Sequence, residues 1–239
     1  MKPVNVIYNM SCIPGMKKFI GDKTIDLIIA DPPFGIDFKA NRTNYNRTKN
    51  LVLEGYQEPK NYEEFTKAWI KEAFRVLKDS GSMYVFSGWN NLEYILTALR
   101  LNGFIIVNHP IWKYQFGVYT KRKFVSSHYH ILYVCKNDKK RKFFRRFNDS
   151  KQNYKDLEDV FVINRDYWTG EVKTPTKLPG QLIFKLLAHS SERGDIVLDP
   201  FMGSGETAVQ CRDMSRNCYG FEIVKSYYKF ILKRLDGNS

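Results

Sequence analysis

Short apolar runs rich in β-branched residues recur along this 239-residue chain, separated by stretches in which apolar side chains return every three or four positions. The short runs predict strands at 4–8, 25–30, 82–86, 104–109, 130–135, 196–199 and 218–221. The longer ones predict helices at 13–20, 62–77, 90–101, 178–189, 206–214 and 225–235. Strands alternating with helices build βαβ units, so the expected fold is α/β on a parallel sheet. Two stretches break the alternation. Residues 35–60 are polar, with NRTNYNRTKN at their centre, and a loop of that length is usually functional or mobile. Residues 136–174 open with KNDKKRKFFRRF, in which basic side chains are interleaved with Phe143, Phe144 and Phe147.

The run at 25–30 leads straight into Asp31-Pro32-Pro33-Phe34. Proline has no N–H for a ladder and holds the residue before it extended. The strand therefore stops with Asp31 at its carboxyl end and a stiff turn behind it. Near the other end, GDIVLDPFMGSGETAVQC brings Asp199 to a second strand end, and a turn containing Gly203 and Gly205 opens a helix. Those glycines let a ligand approach the backbone closely. Glu222 closes the following strand, where an acid can accept hydrogen bonds from the hydroxyls of a ribose.

Gly203-Ser204-Gly205-Glu206-Thr207-Ala208 also satisfies the dinucleotide pattern G-x-G-x-x-G/A. However, Asp199-Pro200-Phe201-Met202 stands between strand and glycine, and an acid there repels a pyrophosphate while tolerating a cationic amine or sulfonium. S-adenosylmethionine is the favoured cofactor on that ground. A nicotinamide or flavin dinucleotide and a ligand-free packing turn are the alternatives.

The net charge of +13 favours a polyanionic partner, nucleic acid first, and the basic-aromatic stretch at 136–174 suits phosphates and bases. A lysine-rich composition or a solvated basic hairpin with inward aromatics is the plain alternative. No stretch approaches the roughly 20 apolar residues of a membrane span, and the N-terminal residues lack the pattern of a secretory signal. The four cysteines form no C-x-x-C pair, which suits reduced thiols in a cytoplasm. His128 and His130 share one strand face, but no third ligand is evident and no metal is expected. Trp89 and Trp112-Lys113-Tyr114 read as core or cleft wall.

Taken together, the upstream Asp-Pro-Pro-Phe and the downstream Asp-Pro-Phe-Met-Gly-Ser-Gly resemble the amino-methyltransferases of DNA. Their order, tetrapeptide first and glycine turn last, resembles the β group of that family. Thr174-Pro175-Thr176-Lys177-Leu178-Pro179 is similar to the family's His-Pro-Thr-x-Lys-Pro segment, and the segments at 82–87 and 128–132 are similar to family strands. The resemblance implies a Rossmann-like methyltransferase fold, a mostly parallel sheet of about seven strands with helices on both faces. It implies one circularly permuted domain over 1–239, with a mobile loop at 35–60 and a small target-recognition insertion at about 136–174.

It implies methylation of an exocyclic base amine, adenine N6 before cytosine N4, on a base flipped out of the helix. Asp31, Pro32, Pro33 and Phe34 would be catalytic. The carboxylate and the Pro32 carbonyl would accept the two amine N–H bonds, and Phe34 would stack on the base. Ser11, Cys12, Asp31, Lys177, Asp199, Pro200, Phe201, Gly203, Ser204, Gly205, Thr207 and Glu222 would hold S-adenosylmethionine. From composition and position, Arg42, Arg47, Lys139, Lys140, Arg141, Lys142, Arg145 and Arg146 are the candidate DNA contacts.

Ser11 stands where the family usually has an aspartate, Thr174 where it has histidine, Leu178 breaks the Lys-Pro pair, and Glu206 replaces a common threonine. Weaker cofactor binding than the family norm is expected. The insertion is short, so a short site or a second subunit, as in a homodimer, is anticipated, and a cognate restriction endonuclease is a further partner reading. The competing functions are methylation of RNA or of a protein amide, and a non-catalytic DNA-binding subunit of the same fold.

Overall fold

The computed structural model describes residues 4–33, 61–115, 117, 120–145, 157–166 and 177–237. Phe34, Arg42, Arg47, Arg146 and Thr174 lie outside the described residues, as does the whole of the expected loop at 35–60.

The elements in chain order begin with β1 (Asn5–Tyr8), α1 (Cys12–Phe19), β2 (Ile25–Ala30), α2 (Tyr62–Val76), β3 (Leu77–Ser87) and α3 (Leu92–Leu101). There follow β4 (Ile105–Asn108), β5 (Ile111–Lys113), β6 (His128–Cys135), β7 (Val160–Val162), α4 (Gly180–Ser190), β8 (Ile196–Asp199), α5 (Glu206–Asp213), β9 (Asn217–Phe221) and α6 (Lys225–Leu235). A single 3-10 turn, Trp89–Asn91, joins β3 to α3.

The strands form one sheet in the order β1-β9-β8-β2-β3-β6-β5-β7, with β4 also paired to β6. β1, β9, β8, β2 and β3 are mutually parallel, and β6 runs antiparallel to β3. β4 and β5 both lie along the outer edge of β6, antiparallel to it, and β7 pairs parallel with β5. Two strands absent from the sequence reading, β5 and β7, bring the sheet to nine strands among the described residues, where seven were expected. β4 and β5 are one extended run broken at His109-Pro110, where proline offers no ladder donor; the Pro110 carbonyl still accepts the Ile131 N–H at 2.8 Å. β7 is too short to carry a visible alternation of its own.

β2 is buried along its whole length, as a central parallel strand must be. Its alternation splits the core in two. Ile28 and Ala30 pack with Met83, Val85 and Leu132 beneath α1, α2 and α3, where Trp69 is the largest side chain. Leu27 and Ile29 pack with Tyr84, Phe86, Ile131 and Trp112 beneath α4, α5 and α6.

Strand direction fixes which residues face the Asp31 turn. Because β6 is antiparallel, the chain after Cys135 emerges at the amino ends of the parallel strands, opposite that turn. There Lys142 Nζ binds both carboxylate oxygens of Asp195 at 2.9 and 3.0 Å, and Lys136 Nζ donates to the Leu77 carbonyl at 2.6 Å. Arg141 pairs with Asp138 and lies over Tyr133 and Phe143, while the Phe143 ring stacks on His189. The candidate DNA contacts Lys139, Lys140, Arg141, Lys142 and Arg145 therefore stand at the edge opposite the Asp31 turn. Lys142 and Arg141 hold the far edge of the sheet together, and Lys139, Lys140 and Arg145 are exposed on that same edge.

Buried Asp26 organises this far edge. It takes Lys78 Nζ on both oxygens at 2.7 and 2.8 Å and the Ile196 N–H at 3.0 Å, tying β2, β3 and β8 together. Asp26→Ala leaves the Ile196 N–H unsatisfied while the half-exposed Lys78 regains water. Urea unfolding is expected to show a loss of about 2–3 kcal/mol, against less than about 0.5 kcal/mol for exposed Lys139→Ala.

Candidate active site

Asp31 follows Ala30 at the carboxyl end of β2, and its neighbours are set by register. Ile28 lies beside Leu198 of β8, so Asp199 falls level with Ile29, and Asp31 lies two residues, about 7 Å, further along. The period of two carries both acids to the sheet face that α4, α5 and α6 cover. Pro32 is buried and Asp31 half-buried, its carboxyl group enclosed. The two motifs at opposite ends of the sequence thus meet at one strand-end crevice, the usual ligand site of an open α/β sheet.

The Asp199-Pro200-Phe201-Met202 turn is pinned from both sides. Phe201 meets Trp69 edge-on at 5.3 Å and tilts against Phe65 at 6.0 Å, both on α2. Met202 fills the space on the other face where a side chain at Gly220 would stand, and its N–H donates to the Phe221 carbonyl at 3.0 Å. Asp199 accepts the Phe201 N–H at 2.9 Å and a bond from the Thr207 hydroxyl. Gly205 takes φ +79°, and a Cβ there would sit 2.8 Å from Ile231 of α6. Gly203 takes φ +51° and would meet no side chain, so its backbone is open to a ligand.

Glu222 accepts the Gly203 N–H at 2.8 Å on one oxygen and the Val224 N–H at 2.7 Å on the other. With the Ile223 N–H also bonded to it, the carboxylate keeps one lone pair for a hydroxyl. Ser204 and Gly205 lead into α5, whose first residue, Glu206, pairs with Arg234 at 2.8 Å and Lys177 at 3.2 Å. Burial works to raise the Glu206 carboxyl, yet Arg234 and Lys177 bring it below its ordinary value. Lys177, expected at the cofactor, is thus tied to the helix start and to Asp166, 3.5 Å away.

Ser11 is the exposed residue before α1, at the same edge, and Cys12 behind it is buried. Burial pushes the Cys12 thiol up to about 12, with Asp199 adding to the rise. It is a packed, protonated thiol.

Three acids are crowded here. Burial, with Asp199 beside it, pushes the Asp31 carboxyl up to about 8, and Arg165 pulls the other way. Burial pushes Glu222 up to about 7, against the pull of its backbone N–H bonds and with Asp199 adding to the rise. Asp199 itself is pushed up to about 6 by burial, despite its hydrogen bonds. Such a cluster favours a ligand that brings positive charge and hydroxyl donors together. A pyrophosphate would add charge of the wrong sign. The sulfonium and ammonium groups of S-adenosylmethionine, with its ribose, fit this donor set, and Asp199, Glu222 and Gly203 are the residues that would hold them.

Further residues stand at this edge, among them some that sequence reasoning passed over. Trp89, expected in the core or cleft wall, is 73% exposed, whereas Trp112 is buried and bonds the Ile163 carbonyl at 2.8 Å. Lys121, Arg122, Lys123 and Phe124 lie on the connection between β5 and β6, and Phe124 is 99% exposed. His109 Nε2 is 2.9 Å from His130 Nδ1, a pairing that the His128–His130 spacing did not disclose.

An open, mostly parallel sheet with this acidic glycine turn defines a Rossmann-like methyltransferase. The chain matches the DNA methylase family over residues 25–233. It is 31% identical over 237 residues to the Type II methyltransferase M.HpaI of Haemophilus parainfluenzae, across 92% of this chain and 70% of that one. Its structure is similar to the S-adenosylmethionine complex of M1.HpyAVI, with a TM-score of 0.70, 24% identity and coverage of 97% and 100%. It is similar also to the cytosine-N4-specific PvuII DNA methyltransferase, with a TM-score of 0.72, 16% identity and coverage of 98% and 88%. The chain belongs to the DNA methylase family and is a DNA methyltransferase that uses S-adenosylmethionine.

The raised carboxyls set a pH dependence. Their folded values lie above the ordinary 3.8 and 4.5, so the stability they contribute is full below about pH 4 and is lost as pH rises through about 6 to 8. A bound cation favours the ionised forms, so its binding releases protons. By calorimetry, affinity for S-adenosylmethionine is expected to strengthen at least about tenfold from about pH 5.5 to about pH 8.5. S-adenosylhomocysteine, whose sulfur is uncharged, should gain markedly less.

Proposed function

We propose that this methyltransferase modifies the N6 amine of an adenine flipped from DNA. The observation that carries the reading is the proline-stiffened Asp31 at the end of β2, beside Asp199 and the glycine turn. An aromatic amine delocalises its lone pair into the ring. Acceptors that hold both of its N–H bonds favour a pyramidal nitrogen, and the Asp31 carboxylate with the Pro32 carbonyl are the two acceptors in this reading. Bound S-adenosylmethionine supplies a methyl group on a sulfonium. Asp31 accepts the proton that the amine sheds, and alignment within the crevice contributes much of the rate. Phe34 is the residue assigned to stack on the base. The Asp-Pro-Pro-Phe form favours adenine, because a serine in first place is the commoner form for cytosine.

Residues 1–239 are read as one permuted catalytic domain. DNA is read as crossing the carboxyl edge of the sheet, over Trp89, Lys113 and the exposed Lys121-Arg122-Lys123-Phe124. A basic tip beside exposed rings suits phosphates and unstacked bases. A second copy of the chain, a cognate endonuclease and a cytoplasmic setting belong to the same reading; the four free, buried cysteines support the last. The second reading is cytosine N4, favoured by the likeness to the cytosine-N4-specific structure.

The test is incubation with labelled S-adenosylmethionine and DNA propagated without methylation, followed by nucleoside mapping. N6-methyladenine is expected, and N4-methylcytosine overturns the base assignment. Asp31→Ala is expected to abolish transfer while donor and DNA binding persist. Triple alanine substitution of Lys121, Arg122 and Lys123 should weaken DNA binding and flatten its salt dependence. The same change at Lys139, Lys140 and Arg145 should leave the transfer rate unchanged.

A further inference from the structure

Arg165 is buried in part against the face of the sheet that carries Asp31, and it is held with unusual care. Its guanidinium lies 3.8 Å from the ring centre of Tyr114, 5.4 Å from that of Tyr129 and 5.8 Å from that of Trp112. It also bonds the Tyr129 hydroxyl, while its buried Nε has no hydrogen-bond partner. The backbone is clamped as well. The Arg165 N–H donates to Gln115 Oε1 at 2.8 Å, and two residues earlier the Ile163 N–H donates to the Lys113 carbonyl at 3.1 Å. Asp166, next in sequence, accepts the Gly180 N–H at the start of α4 at 3.0 Å. Residues 163–166 therefore link the edge strand β7 to the start of α4.

Strand alternation places Tyr129 on the same face as Ile131, Phe86 and Asp31. The groups that bear electrostatically on Asp31 are Asp199 from β8, which opposes its ionisation, and Arg165, which favours it. Tyr129 from β6 feels the charge of both Asp31 and Arg165. Arg165 acts on Asp31 through space, not through a hydrogen bond. That distance has a use. A direct pair would occupy the oxygens that a base amine needs, whereas a cation fixed on aromatic rings supports the charge and leaves the oxygens free.

We propose that Arg165 is a positioning residue for methyl transfer, docked on the Tyr114–Trp112–Tyr129 ring cluster so that its charge supports the Asp31 carboxylate while the acceptor oxygens stay open to the target amine. This rests on the reading of Asp31 as the amine acceptor. In that role the ring cluster is part of the site, and a segment of the insertion at 136–174 reaches the reaction centre.

The test measures kcat and kcat/KM for Arg165→Gln, Arg165→Ala and Arg165→Lys across the pH range, with unmethylated DNA and S-adenosylmethionine. Thermal melting and donor binding at high pH serve as folding controls. Loss of the charge is expected to move the rising limb of the pH–rate profile upward by about one unit, with near-parental rates at the alkaline end. Arg165→Lys should return the limb most of the way. An equal loss at every pH overturns the proposal in favour of a packing role. A rise in KM for DNA with an unmoved limb overturns it in favour of a DNA contact. Should the alanine variant unfold, the glutamine variant, which keeps the bulk on the rings, decides. If Asp31→Ala retains full activity, the acceptor assignment itself fails, whatever Arg165 does. If Asp31→Ala is inactive and the Arg165 limb stays fixed, the positioning role alone fails.

Discussion

Three carboxyl groups crowded at the ends of neighbouring parallel strands are the constraint on which the rest of the structure turns. Asp31, Asp199 and Glu222 would each ionise readily in water. Enclosed together, they hold their protons well above the usual carboxylate range. Folding does not relieve that conflict; a ligand with positive charge and hydroxyl donors does. The stiff prolines, the Phe201 and Met202 anchors on opposite faces, and the closely packed Gly205 all serve to hold the acids where they repel one another.

The sheet separates stability from chemistry by strand direction. At the amino ends, Asp26 with Lys78 and Asp195 with Lys142 pair opposite charges and tie β2, β3 and β8 to the chain after β6. At the carboxyl ends, like charges gather and exposed aromatics stand at the rim. One fold thus keeps its paired ions at the edge away from the ligand and its unpaired acids at the edge where a ligand arrives. The Glu206–Arg234–Lys177 cluster bridges the two demands, fixing the start of α5 beside the glycine turn.

Much of the site was legible in sequence because its chemistry is local. Asp-Pro-Pro announces a strand that must end on an acid, and Asp-Pro-Phe-Met-Gly-Ser-Gly announces an acid before an open turn. Register then brings them together, which only a common parallel sheet could suggest. What escaped is non-local. The basic run from Lys139 to Arg145 reads as a DNA surface, and the edge of the sheet it occupies depends on β6 being antiparallel, which no residue in the run encodes. β7 consists of three residues that become a strand only by pairing with β5. Arg165 carried no signal, since its meaning comes from three rings on two other strands.

The central claim is that the crevice holds protonated carboxyls that ionise around a cationic donor. Infrared difference spectroscopy of the ligand-free protein near neutral pH, before and after S-adenosylmethionine is added, reads this directly. The account requires the protonated-carboxyl stretching bands to disappear on binding, and to persist in large part with S-adenosylhomocysteine. Bands that are absent beforehand, or unchanged by the donor, would contradict it.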